Sequence, residues 1–72
     1  MPKTIKVRMR LGVETDIESL WQEIKSYEGM ILGGAGGKYT ISYIGTPQVA
    51  LSLIADCLRY AQGEGSLEAS FQ

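Results

Sequence analysis

Thr4-Ile5-Lys6-Val7-Arg8-Met9-Arg10-Leu11 is the stretch on which the fold turns. Ile5, Val7, Met9 and Leu11 alternate without a fault with Lys6, Arg8 and Arg10. A period of two marks a strand with one buried and one solvated face. Successive side chains leave a strand on opposite sides. The alternation that builds a core therefore also gathers three cations on the other face.

Outward from this strand, Gly12 to Glu14 makes a turn. Thr15 then reads as an N-cap, with Glu18 three residues on completing a capping box. Ile17, Leu20, Trp21, Ile24 and Tyr27 fall within about 120° of arc at ~100° per residue, the stripe of a helix lying on a core. Gly29 is the expected stop. Met30–Leu32 reads as a short strand, Gly33–Gly37 as a glycine loop, and Lys38–Ile44 (KYTISYI) as the second strand of a hairpin. Thr46-Pro47 opens a second helix with an N-cap hydroxyl and proline at the first helical position; the pattern carries it to about Gln62, and Gly63 ends it. In the tail, Leu67, Ala69 and Phe71 alternate once more.

The order is β-α-β-β-α with a possible final β. It predicts an α+β domain of ferredoxin-like type, βαββα(β), in which two helices pack on one face of an antiparallel sheet. Residues 1–64 form one small domain. Residues 65–72, GSLEASFQ, are either a fourth strand or a vector-derived remnant: the stretch resembles what a picornaviral 3C protease leaves behind, although Ser70 stands where that pattern has a large apolar residue.

Seventy-two residues, 44% hydrophobic and 21% charged, describe an ordinary small globular chain. A chain of this size buries only roughly 60% of the surface it exposes when unfolded, so staples or partners often supplement the core. The single Cys57 forms no internal disulfide, and one Cys with no His excludes a structural zinc site. No cofactor is implied. A lone thiol and a start without a continuous apolar run point to the cytoplasm and away from the membrane.

The four cations Lys6, Arg8, Arg10 and Lys38 are expected on the open face of the sheet, with Lys3 close by. Tyr39, Ile41 and Tyr43 turn inward, while Lys38, Thr40 and Ser42 turn outward. Six acids, Glu14, Asp16, Glu18, Glu23, Glu28 and Asp56, lie on the helices or just before one. A chain of net charge −1 is thereby polarised. The basic face is a solvated sheet whose long side chains cover the pleat, or a site for an acidic protein partner or another anion. Nucleic acid is the less favoured ligand, because sheets of this topology that bind RNA stack bases on exposed aromatic side chains.

The second helix is unusually apolar. Val49, Ala50, Leu51, Leu53, Ile54, Cys57, Leu58, Tyr60 and Ala61 span roughly 200°, about twice what covering a sheet requires. The surplus flank, Leu51, Ala55 and Leu58, is expected either to meet the first helix or to form an oligomer interface. Cys57, at the centre of the arc, reads as inert packing.

No arrangement of residues supports catalysis. GGAGGK (33–38) departs from the P-loop pattern, because Tyr39 follows Lys38 and a strand follows the loop. Met1-Pro2 before a strand resembles tautomerases, whose N-terminal proline acts as base, but that chemistry needs Met1 removed and the helix spacing here is short for it. The absence of His removes the usual general base. The reading is therefore a non-catalytic protein-interaction or oligomerisation (adaptor) module, binding itself as a homodimer or another protein. The alternative is an anion-binding domain for nucleic acid or a small phosphorylated ligand.

Overall fold

The structure, a computed structural model, describes residues 3–72; the Met1-Pro2 pair compared above with tautomerases lies outside them. Its elements are β1 (Ile5–Arg10), α1 (Ile17–Ile24), β2 (Met30–Ala35), β3 (Lys38–Gly45), α2 (Pro47–Tyr60) and β4 (Ser66–Phe71). The strands form one open sheet in the order β2-β3-β1-β4, and every neighbouring pair is antiparallel. This α+β arrangement of four strands and two helices is compatible with a ferredoxin-like fold.

The phase of β1 is the one its alternation predicts: Val7 and Met9 are buried, while Lys6, Arg8 and Arg10 are exposed. Val7 lies opposite Tyr43 and Met9 opposite Ile41, so the odd-numbered residues of both central strands share one face. Leu20 and Ile24 of α1 and Ala50, Leu53 and Cys57 of α2 complete a single core on that face. No polar or charged side chain among the described residues is buried with them.

Four local expectations are corrected. Asp16, not Thr15, caps α1, its carboxylate accepting the Ser19 backbone N–H. The Thr15 hydroxyl is engaged elsewhere, donating to Gln62 O and accepting from Gln62 N at 3.1 Å, and this ties the start of α1 to the exit of α2. Helix α1 ends at Ile24, before Gly29. The glycine segment is not all loop: Gly33 and Gly34 pair with Thr40 and Tyr39, leaving only Gly36 and Gly37, at φ 64° and 80°, to make the turn. Two left-handed residues in succession give a hairpin turn whose twist matches its strands. Trp21, expected on the apolar stripe, is exposed, and Leu20 and Ile24 anchor α1 without it.

Helix α2 begins as expected, with the Thr46 hydroxyl accepting the Val49 N–H and Pro47 in the first turn, and it ends at Tyr60. The tail is paired along its length with β1, from Ile5 opposite Phe71 to Arg10 opposite Ser66.

Candidate functional site

Two surfaces concentrate chemistry. The first is the open face. Its residues are the even-numbered ones of β1, β3 and β4 and the odd-numbered ones of β2, which the register arranges in rows. One row reads Ile31–Ser42–Arg8–Glu68, and the next reads Gly33–Thr40–Arg10–Ser66. Side chains directly opposite in such rows stand about 5 Å apart at Cβ. Arg8, Arg10 and Lys38 line a cleft of about 490 Å³ together with Tyr39, Thr40, Glu64 and Ser66. Lys6 and Arg8 line a second recess beside Glu68 and Ser70.

The structure thus brings Lys6, Arg8, Arg10 and Lys38 to one face. None of the four is in an ion pair among the described residues, where the single pair is Arg59 with Asp56. The polarity is less complete than the helical acids alone implied: Glu68 enters the row of Arg8, and Glu64 reaches the cleft. By parity no strand aromatic stands on the open face, because Tyr39, Tyr43 and Phe71 fall in step with the core residues, although Tyr39 lines the end of the cleft. Two exposed isoleucines, Ile31 and Ile44, do belong to it. They went unremarked in the sequence, although Ile44 continues the even set of KYTISYI.

The second surface lies along α2 and β4. Helix α1 packs against one side of α2, where Tyr27 donates to Asp56 Oδ2 at 2.6 Å and Tyr60 donates to Glu23 Oε1 at 3.2 Å. The bond to Asp56 holds the Tyr27 hydroxyl well above its ordinary range, to about 12, assisted by desolvation. Leu51 and Leu58 lie about 140–160° round the helix from Asp56, at ~100° per residue. This flank does not meet α1. Leu51 is 69% exposed and Leu58 63%, and Ala55 is exposed beside them.

Helix α2 rests on β1 and β3, and its backbone does not come close to that of β4. The core-facing side of β4 is therefore only partly covered, with Leu67 49% and Phe71 61% exposed. Lys3 Nζ stands over the Phe71 ring at 5.6 Å, so this cation leaves the open face for the opposite one. Leu58, Ala61 and Leu67 line a cleft of about 250 Å³ floored by Met9 and Leu11. From there α2 and β4 run side by side in opposite senses. Leu51 lies ~10 Å back along the helix from Leu58, and Phe71 lies ~13 Å onward along the strand from Leu67. The four large apolar side chains form one strip. Leu67 and Phe71 were legible as an alternating strand, but their exposure depends on where α2 stops covering the sheet.

Cys57 sits at the buried centre of α2, and desolvation, with the Asp56 charge adding to it, pushes its thiol up to about 11. At neutral pH it is protonated and unreactive. No group of three His, Cys, Asp or Glu side chains among the described residues is placed to hold a metal ion, and no helix among them is long and apolar enough to cross a membrane. No protein-family model, curated protein sequence or solved structure matches this chain.

Proposed function

We propose that the chain is a non-catalytic protein-interaction or oligomerisation module of ferredoxin-like type, working in the cytoplasm through the strip formed by Leu51, Leu58, Leu67 and Phe71. The observation that carries the reading is the exposure of these four side chains, each about half to two-thirds open, on α2 and on β4, with Leu58 and Leu67 meeting at one cleft. Covering a large aliphatic or aromatic side chain is worth roughly 1.5–3 kcal/mol when it passes from fully exposed to buried. Half of that for each of four residues is about 3–6 kcal/mol, short of the roughly 8 kcal/mol of micromolar association even before ordering costs, so a partner must add contacts beyond these four side chains. A chain this small gains stability from any partner that binds only its folded form.

Leu51→Lys places a charge in the strip without touching the core. Ligands selected from a displayed random-peptide library against the native chain are expected to lose at least tenfold in affinity for this variant, about 1.4 kcal/mol. A set of ligands indifferent to both Leu51→Lys and Leu58→Asp sinks the reading.

A second reading is supported by the convergence of Arg8, Arg10 and Lys38 on the 490 Å³ cleft. It makes the open face a site for an anion: an acidic protein surface, a phosphorylated small molecule or a nucleic acid. For a single-stranded oligonucleotide, each phosphate contact contributes a slope of roughly 0.7 to the fall of log K with log salt. Replacing Arg8 and Arg10 together by Ala is expected to remove about 1.4 of that slope, two such contacts. Unchanged salt dependence in fluorescence titrations rules out these two side chains as phosphate contacts.

A further inference from the structure

Strand β4 lies at the edge of the sheet and is paired on one side only. The Gln72 N–H donates to Thr4 O, and Leu11 N donates to Tyr39 O. With the register of β1 against its two neighbours, these bonds fix which peptide groups serve which ladder. The even residues of β4 bond to β1, and the N–H and C=O groups of Leu67, Ala69 and Phe71 point away from the sheet. Few of the usual edge devices guard them: β4 has no lysine, no proline and no bulge, its one charge is Glu68, and Lys3 Nζ stands 5.6 Å from the centre of the Phe71 ring.

We infer that the chain forms a two-fold dimer by antiparallel pairing of β4 with β4 of a second copy, centred on Ala69. This rests on the reading of the α2–β4 strip as an interaction surface and names its occupant. In this register Leu67 faces Phe71 of the second copy, Ala69 faces Ala69, and all six outward peptide groups of each strand are satisfied. The smallest side chain sits on the axis, flanked by apolar pairs.

The axis stands perpendicular to the sheet, so both helix layers lie on the same side. The strips of the two copies then line one trough, with Leu67 and Phe71 of both on its floor and the two α2 helices about four strand spacings, ~19 Å, apart as its walls.

Charge agrees on the other face. The same register extends a row as Arg8–Glu68–Ser70–Lys6, the last two from the second copy. Glu68, in no ion pair within one chain, stands beside Arg8 and two strand spacings, ~10 Å, from the incoming Lys6. No like charges stand opposite each other. A two-fold interface must match itself residue by residue, and this strand does so in polar groups, side-chain size and charge.

The test is solution mass across roughly 1–200 µM, a range that brackets micromolar association. The native chain is expected to rise toward twice its 7.9 kDa mass. Ala69→Pro removes only an outward-pointing N–H, at a position where edge strands accept proline, and is expected to stay monomeric with an unchanged far-ultraviolet spectrum. Ala69→Cys offers an independent measurement that leaves the backbone alone. On oxidation it is expected to form a disulfide-linked dimer, since opposed residues in such a pair lie ~5.5 Å apart at Cα, and to do so faster than Glu68→Cys. A chain monomeric at every concentration overturns the dimer while leaving the strip free for a foreign partner. A dimer lost in Leu51→Lys but kept in Ala69→Pro overturns the pairing of β4 alone. Insensitivity to both variants overturns the dimer and the strip together.

Discussion

Leu20→Ala is expected to remove a large part of the stability of this domain. Helix α1 has eight residues, with Leu20 and Ile24 as its two fully buried side chains. A helix of that length is not stable alone in water; its place is held by burial of those two anchors in the common core and by packing against α2. Truncating a buried leucine costs about 2.7–5 kcal/mol, through lost transfer energy and the cavity left behind. A domain of this length has roughly 4–10 kcal/mol in total. With a urea m-value near 1 kcal/mol/M for a small chain, the midpoint should fall by about 3 M or more. A shift under about 0.5 M would mean that α1 is not held by its buried anchors. A Trp21→Ala control, at an exposed position on the same helix, should move it far less.

Gly12→Ala is the second large effect, and it acts through backbone. Gly12 leaves β1 where Gln62 leaves α2, and a β-carbon at Gly12 would overlap the Gln62 carbonyl oxygen. The obstacle is main chain, which has no rotamer to swing aside. Gln62 is also held by its two hydrogen bonds with Thr15, whose own N–H bonds Gly12 O at 3.0 Å. Relieving the overlap means opening that junction, and we expect a loss of about 1–3 kcal/mol, the usual cost of overpacking. Gly33→Ala is the contrast. A β-carbon there meets nothing within 4 Å, its φ is not positive, and removing glycine flexibility from a strand is worth about 0.5–1 kcal/mol. Parallel urea melts should therefore move in opposite directions. Equal shifts would sink the account of the Gly12 junction.

Much of the fold was legible because the signals are local. The alternation of β1 and β3, the Thr46-Pro47 opening of α2 and the order of elements depend on residues adjacent in the chain. Where local reading failed, a distant residue had intervened. Thr15 is a good capping residue, but Gln62, 47 positions away, engages its hydroxyl, and Asp16 caps in its place. Gly33 and Gly34 are poor strand formers in isolation, yet the ladder with β3 extends β2 through them. Trp21 belongs to the apolar arc of α1 by periodicity, but Leu20 and Ile24 already fill the space beneath the helix. For the candidate sites the division is the same. The four cations of the open face could be assigned from parity alone, whereas Glu68 joins them only through the register of β4 against β1.

The sequence by itself determined the phase of β1, aliphatic side chains inward and cations outward, because a strand offers its residues only two sides. It also determined that α2 carries more apolar surface than one sheet can cover. Only the tertiary structure decided what that surplus faces. Helix α1 lies against the Asp56 and Tyr60 side of α2, and β4 extends the sheet beyond the reach of both helices, so Leu51, Leu58, Leu67 and Phe71 stay open. The physical reason is that periodicity specifies directions around an element, while exposure depends on which neighbours fill the space in those directions.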